Sequence, residues 1–248
     1  MRQTRVYVDA ELEPGTRIAL AGSAASHVTR VLRLRTGETL TLFNGRGGEY
    51  AARIDASQRD SVTLAVAERA ATERESPLAL TLAQGVSRGE RMDWVVQKAT
   101  ELGVTAFAPL LTERSVVRLD AQQSGRKLNH WRAIAIAACE QCGRNRLPQI
   151  AAPVTLREFL SNPAGGGSTT RTARILLSPA ADRRIADLRP APEAIAVLIG
   201  PEGGLTQEEQ EAALAAGFIA MRLGPRVLRT ETAAVAALSV LQREFGDL

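Results

Sequence analysis

The residues best suited to chemistry lie in two short runs near the carboxyl end. Ala194–Ile199 is unbroken apolar sequence that passes straight into Gly200-Pro201-Glu202-Gly203-Gly204. Three glycines and a proline after a buried strand make a tight turn whose backbone N–H groups can face a ligand, as the strand ends of open α/β sheets do. The spacing is neither G-x-G-x-x-G nor a Walker loop, so no dinucleotide or nucleoside-triphosphate fingerprint is present. Taken alone, the turn also fits a plain connector. The second run, Arg226-Val-Leu-Arg229-Thr-Glu-Thr-Ala233, leads from the turn Gly224-Pro225 into a C-terminal helix. Capping accounts for Thr230 and Glu231 at a helix start. It does not account for Arg229, because a cation there opposes the helix dipole. A charge placed against its local preference points to a site.

The elements around these runs follow from hydrophobic period and turn chemistry. Thr206-Gln-Glu-Glu209 is a capping box that opens a helix, and Gly217 closes it. Phe218–Leu223 reads as a strand. The last helix carries Ala234, Leu238, Leu241 and Phe245 on one face. Upstream, strands are expected at Leu78–Gln84, Val104–Leu111 and Ala173–Ser178. Helices are expected at Glu90–Leu102, stopped by Gly103, and at Lys127–Gly143, while Pro163–Thr172 reads as a loop. Strands that alternate with helices and lack a two-residue period argue for an α/β domain with a largely parallel, doubly covered sheet. The first seventy residues differ. Short strands at Arg5–Ala10, Thr16–Ala21, Thr39–Phe43, Glu49–Ile54 and Ser61–Ala67, with one helix from Ser23 to about Leu34, suggest a small β-barrel. The expected division is a β domain over 1–70, a polar linker over 71–77 and an α/β domain over 78–248.

The 248 residues carry 45% hydrophobic side chains, enough for a core, and no apolar run long enough to span a bilayer. The start reads as a strand without a signal-peptide core, which places the chain in the cytoplasm. Net charge is +4, and of the 31 basic residues only Lys98 and Lys127 are lysine. Arginine's planar fork suits phosphate and stacks on bases, so the bias is compatible with RNA; a compositional preference of the source accounts for it equally well. Cys139 and Cys142 form C-x-x-C within a helix, with no strand-to-helix turn before it. His27 and His130 are the only histidines to complete a zinc site. The pair therefore reads as two small helix residues without redox or metal duty.

Ile199–Gly204 followed by Leu223-Gly-Pro-Arg-Val-Leu-Arg-Thr-Glu-Thr-Ala233 resembles the signature of the ribosomal small-subunit uridine-N3 methyltransferase family (RsmE type), of the SPOUT superfamily. Trp94-Val-Val-Gln-Lys-Ala-Thr-Glu-Leu-Gly-Val104 resembles that family's helix-ending motif. Glu140-Gln141-Cys142-Gly143-Arg144 with Pro148 resembles a further element. Arg5-Val-Tyr-Val and His27-Val-Thr-Arg-Val-Leu-Arg33 resemble its RNA-binding barrel. The similarity spans nearly the whole chain.

The resemblance implies a PUA-like β-barrel followed by a SPOUT α/β domain with a C-terminal trefoil knot, acting as a homodimer without metal. It implies S-adenosyl-L-methionine (SAM) held by Leu177-Ser178, by Ile199, Gly200, Pro201, Gly203 and Gly204, and by Leu223, Gly224 and Leu228. The implied reaction is methyl transfer to N3 of a uridine in 16S ribosomal RNA, free or in the assembled small subunit. Glu231 or Glu202 would take the imide proton and Arg229 would stabilise the charge left behind. Arg2, Arg5, Arg30, Arg33, Glu140, Gln141 and Arg144 are the implied RNA contacts. Two other readings stand beside this one: a SPOUT enzyme acting on another RNA position, and a non-catalytic RNA-binding assembly protein.

Overall fold

The computed structural model describes residues 4–58, 60–161 and 172–248. The chain divides into two compact units, one of residues 1–75 with 139–147, the other of residues 76–138 with 148–248. The segment Cys139–Leu147 thus belongs with the amino-terminal unit, although its first four residues end a helix expected wholly in the α/β domain. The expected linker contributes Glu75 to the first unit, where both its carboxylate oxygens accept from the Arg144 guanidinium.

The first unit holds β1 (Arg5–Tyr7), β2 (Arg17–Ala21), α1 (Gly22–Ser26), β3 (Thr39–Phe43), β4 (Glu49–Ser57) and β5 (Ser61–Ala70). Its five strands run in the order β1-β3-β4-β5-β2, parallel only between β1 and β3. β4 and β5 show the alternation of a sheet with one wet face: Tyr50, Ala52, Ile54, Val62, Leu64 and Val66 are buried, and their neighbours are not. The expected small β-barrel takes the form of a half-barrel sheet. Among the described residues β1 pairs only with β3 and β2 only with β5, so the two edge strands do not pair with each other. Ala25 and Val28 join the same apolar cluster as the strands, so the segment after β2 covers the sheet face that closure would have covered. The helix expected over Ser23–Leu34 is also shorter and mixed. α1 gives way to a π-helical turn at His27–Val31, and Leu32 N–H and Leu34 N–H close onto the carbonyls of His27 and Val28.

The second unit holds β6 (Ala79–Gly85), α2 (Glu90–Glu101), β7 (Ala106–Leu111), α3 (Ala121–Cys142, whose last four residues count with the first unit) and β8 (Gln149–Ile150). There follow β9 (Val154–Thr155), α4 (Leu156–Ser161), β10 (Thr172–Leu177), β11 (Ala194–Ile199), α5 (Gln207–Ala215), β12 (Ile219–Met221) and α6 (Thr230–Phe245). The sheet is parallel throughout, in the order β12-β10-β11-β6-β7-β8, with β9 also beside β7. β8, β9 and α4 are too short for a periodic signal and were not expected. α3 starts six residues before the expected Lys127. The expected loop Pro163–Thr172 lies outside the described residues except for Thr172, which begins β10.

Every residue of β11 is buried, and its parity sorts them between two cores. Ile195, Val197 and Ile199 pack with residues of α2, α3 and α6, while Leu198 packs with Ala213 of α5 and Leu156 of α4. Truncating Leu198 to alanine would cost about 2–5 kcal/mol by the cavity it leaves. α6 is the helix that matters most for the site. Ala234, Ala237, Leu238 and Leu241 bury its face. Gln242 fastens its end by donating to the Leu102 carbonyl at 2.7 Å and accepting from Ser76 Oγ at 2.7 Å. No described helix is long and apolar enough to cross a membrane.

Candidate functional site

Parallel strands all point their carboxyl ends one way, and in the second unit the loops after β10, β11 and β12 meet there around a cavity of about 600 Å³. The loop after β11 is built on close backbone approach. A Cβ on Gly200 would lie 3.0 Å from the Gly204 carbonyl carbon and the Leu205 nitrogen, tighter than ordinary van der Waals contact, so a side chain there would require the loop to shift. Gly204 sits at φ +70°, and its N–H donates to the Pro201 carbonyl at 2.9 Å, closing the turn. Thr206 then caps α5, with its side chain accepting from Glu209 N–H and the Glu209 carboxylate accepting from Thr206 N–H. The loop after β10 is fixed to the neighbouring strand end by Ser178 N–H donating to the Met221 carbonyl at 2.9 Å.

Nine of the ten residues expected to hold a cofactor line this cavity: Leu177, Ser178, Ile199, Gly200, Pro201, Gly204, Leu223, Gly224 and Leu228. Gly203 does not; it faces Arg114, whose guanidinium donates to the Gly203 and Leu205 carbonyls. The lining is aliphatic side chain and bare backbone. At Gly204 and Gly224 a Cβ would meet nothing within 4 Å, so these glycines leave space that a side chain would fill. An apolar slot edged by loop N–H and carbonyl groups suits a nucleoside with an aliphatic arm, and the residues present fit SAM.

The three residues expected to act on a substrate, Arg229, Glu231 and Glu202, line the same cavity, but their surroundings differ. Arg229 is exposed at the head of α6, and its guanidinium makes no ion pair or side-chain hydrogen bond with any described residue. Glu202 is fully engaged. One carboxylate oxygen takes hydrogen bonds from Arg91 Nη1 at 2.8 Å and Arg88 N–H at 3.1 Å. Burial works against its charge, yet its own backbone N–H, the Arg91 guanidinium and the Arg88 N–H together outweigh that and hold its pKa below the usual carboxylate range. Glu231 has one oxygen 3.9 Å from Arg91 Nε, while its Oε2 is buried without a partner among the described residues. Sequence reasoning missed Arg91, which sits in the first turn of α2 against the helix dipole, the same signal that singled out Arg229.

The expected RNA contacts divide as sharply. In the first unit the Arg5 side chain is only 8% exposed. It binds Glu49 Oε2 at 2.5 Å, Asn145 Oδ1 at 2.6 Å and the Arg144 carbonyl at 3.1 Å, and stacks 4.9 Å from the Phe43 ring centroid. The Arg144 side chain is 4% exposed and grips both oxygens of Glu75. Glu140 accepts from Tyr7 N–H at 3.0 Å. All three thus make contacts inside their own unit, and a guanidinium already engaged by its own carboxylate has less to offer a phosphate. Gln141 is exposed on α3, and Arg2 lies outside the described residues. Arg30 and Arg33 are exposed and make no side-chain hydrogen bond or ion pair with a described residue. Arg33 is the one described non-glycine residue at positive φ, +56°. It stands just past the π-helical turn, in a backbone conformation where glycine is usual.

Cys139 is buried, with its S–H directed at the Arg146 carbonyl. The neighbouring Cys142 and burial push its thiol pKa well up, the opposite of a reactive thiolate.

Two family models match the chain. An RNA methyltransferase domain family matches residues 74–242, and an RNA methyltransferase PUA domain family matches residues 20–67. A methyltransferase of Legionella pneumophila, Lpg2936, solved in complex with SAM, shares 43% identity at a TM-score of 0.94 over 100% of both chains. The ribosomal RNA small subunit methyltransferase E of Neisseria gonorrhoeae, solved bound to SAM, shares 36% at 0.90 over 100% of both. The protein of that name from Buchnera aphidicola (subsp. Schizaphis graminum) is 33% identical over 100% of this chain and 98% of its own. With relatives of this identity along its full length, a parallel α/β unit that closes a glycine-lined cavity and an antiparallel half-barrel before it, the chain belongs to the ribosomal RNA small subunit methyltransferase E family.

Proposed function

We propose that this protein transfers a methyl group from SAM to N3 of a uridine in 16S ribosomal RNA. The observation that carries the reading is one cavity in which glycine-lined loops, an unspent cation and the Glu231 carboxylate converge. SAM, when bound, supplies an electrophilic methyl group; the protein's own residues do the rest. Leu177, Ile199, Leu223 and Leu228 exclude water from the slot. Glu231 receives the N3 proton of the uracil, and Arg229 faces the carbonyl oxygens that gain charge as that proton leaves. Between the two carboxylates expected as the base, Glu231 is favoured because Glu202 is already committed to Arg91 and to two backbone N–H groups. Glu202 holds Arg91 in place.

Arg30 and Arg33 are the proposed RNA contacts of the first unit. Homodimerisation, action in the cytoplasm and the trefoil knot belong to the same reading. Supporting the knot, β12 lies at the sheet edge beside β10, whereas α6 begins against Gly200 and Gln84, so residues 223–229 return past the loop after β11.

The experiment is transfer from labelled SAM to small subunits and to naked 16S RNA from cells lacking this gene, with the product nucleoside identified. N3-methyluridine is the expected product. A 2′-O-methylated product would replace the uridine-N3 assignment with another SPOUT position, and absence of SAM binding would leave a non-catalytic RNA-binding protein. Glu231→Gln is expected to lose about 10²–10⁴ in kcat, while Glu202→Gln stays within about tenfold of wild type. The reverse order would exchange the two roles.

A further inference from the structure

Gln84 is the penultimate residue of β6 and is 0% exposed. Its carboxamide nitrogen donates to Thr230 Oγ1 at 2.8 Å, the Gly85 carbonyl at 3.1 Å and the Gly200 carbonyl at 3.3 Å. Thr230 Oγ1 gives its one proton to the Gly200 carbonyl at 2.7 Å, which leaves its lone pairs for Gln84. The amide can face only this way, since turning it over would set its oxygen against two carbonyl oxygens. Its Oε1 is buried without a partner among the described residues. A buried amide oxygen left unpaired destabilises a fold, and a leucine of similar size would avoid that cost. The unpaired oxygen thus offsets part of what the donated bonds contribute to stability.

What the side chain does is join three chain segments at one point: the end of β6, the loop after β11 and the first residue of α6. The adjoining Gly85 tightens the same junction, because a Cβ there would lie 2.5 Å from the Pro201 nitrogen. Thr230 stands between Arg229 and Glu231, so whatever holds Thr230 sets the register of both.

We propose that Gln84 is a positioning residue that clasps the glycine loop to the head of α6, so that the cofactor-binding backbone and the Arg229–Glu231 pair are held in one register. The inference rests on the reading that this cavity binds SAM. The test measures SAM affinity by calorimetry, thermal midpoint, and kcat and KM for both substrates in Gln84→Leu, Thr230→Val and the double variant. Gln84→Leu is expected to weaken SAM binding about tenfold, the worth of one buried hydrogen bond, with no fall in thermal midpoint and no change in KM for RNA. Because the two side chains act as one unit, the double variant is expected to be no worse than the weaker single variant. SAM affinity within twofold of wild type, multiplicative losses in the double variant, or a loss of affinity that follows the thermal midpoint would each overturn the clasp. Should Gln84→Leu fail to fold, Thr230→Val and Gln84→Met carry the same test, since a thioether at 84 cannot donate. Wild-type protein that binds no SAM would instead sink the cofactor reading and the clasp with it, an outcome visible before any variant is made.

Discussion

The arginines of the two units come from equally distinctive sequence motifs and do opposite things. In the first unit Arg5 and Arg144 are buried, and each is matched to a carboxylate, Glu49 and Glu75. In the second, Arg229 stands exposed at a helix head where the dipole disfavours it, and no described group neutralises it. Arg91 is intermediate: it lines the cavity, yet it is engaged with Glu202 at 2.8 Å and lies 3.9 Å from Glu231. Motif membership marks all of these residues as important without saying for what. Burial and the presence of a partner separate them, because a guanidinium withdrawn from water onto its own carboxylate is structure, and one left unpaired beside a cavity is available to a ligand.

The widest gap between the two kinds should appear at Arg144. Arg144→Ala strands Glu75 in a partly buried site and is expected to destabilise the protein by about 3–5 kcal/mol in chemical denaturation. SAM affinity should persist wherever the variant remains folded. An unchanged denaturation midpoint with weakened RNA binding would erase the contrast and favour Arg144 as an RNA contact. Arg229→Ala should behave in the opposite way. Methyl transfer is expected to fall about 10²–10³-fold, as when one donor to a developing oxyanion is removed. Stability should stay within about 0.5 kcal/mol of wild type. A large loss of stability in Arg229→Ala would show that its charge is structural after all.

Much of the second unit was legible in the sequence. β11 announces itself as an apolar run ending in glycines, the capping box at Thr206 marks the next helix, and Arg229 is visible because it breaks a rule about helix ends. What was hidden is hidden for physical reasons. β8 and β9 are two residues each, too short for any period to show. Whether the first unit closes as a barrel depends on long-range pairing of its edge strands, which local patterning does not encode. The fates of Arg5, Arg144 and Glu140 were unreadable because their partners lie far along the chain, 44 residues away for Arg5 and Glu49 and 69 for Arg144 and Glu75. Arg91 is the exception. Its position in the first turn of α2 was there to be read, and applying the dipole rule to every helix would have found it.

Arg30 and Arg33 sharpen the comparison from the other side, since they belong to the first unit and yet are unspent. If they meet RNA phosphates, replacing either with alanine should weaken RNA binding modestly. The slope of log affinity against log salt concentration should flatten by roughly 0.7 per arginine, as expected for single-stranded contacts. SAM affinity should not change. A slope that stays at the wild-type value in the double variant would remove this surface from the RNA interface. The positive φ at Arg33 would then need another explanation.

The smallest effect expected lies in the acid limb of stability. Burial opposes the charge on Glu49, but Arg74 and Arg5 overcome it and hold its pKa below the usual carboxylate value of 4.5. The unfolded chain therefore takes up this proton at a higher pH than the folded one. Stability from the Glu49 charge is complete above about pH 4.5 and drains away as pH falls through the lower folded value. In Glu49→Gln that part of the slope should vanish, so that denaturation midpoints of variant and wild type, apart at pH 7, converge toward pH 3. A constant gap across the range would mean that Glu49 contributes by packing and hydrogen-bond geometry alone. Arg5 would then be tied to the first unit by Asn145 and the Arg144 carbonyl and not by its ion pair, which would leave the buried Arg144–Glu75 pair as the stronger case of a spent arginine.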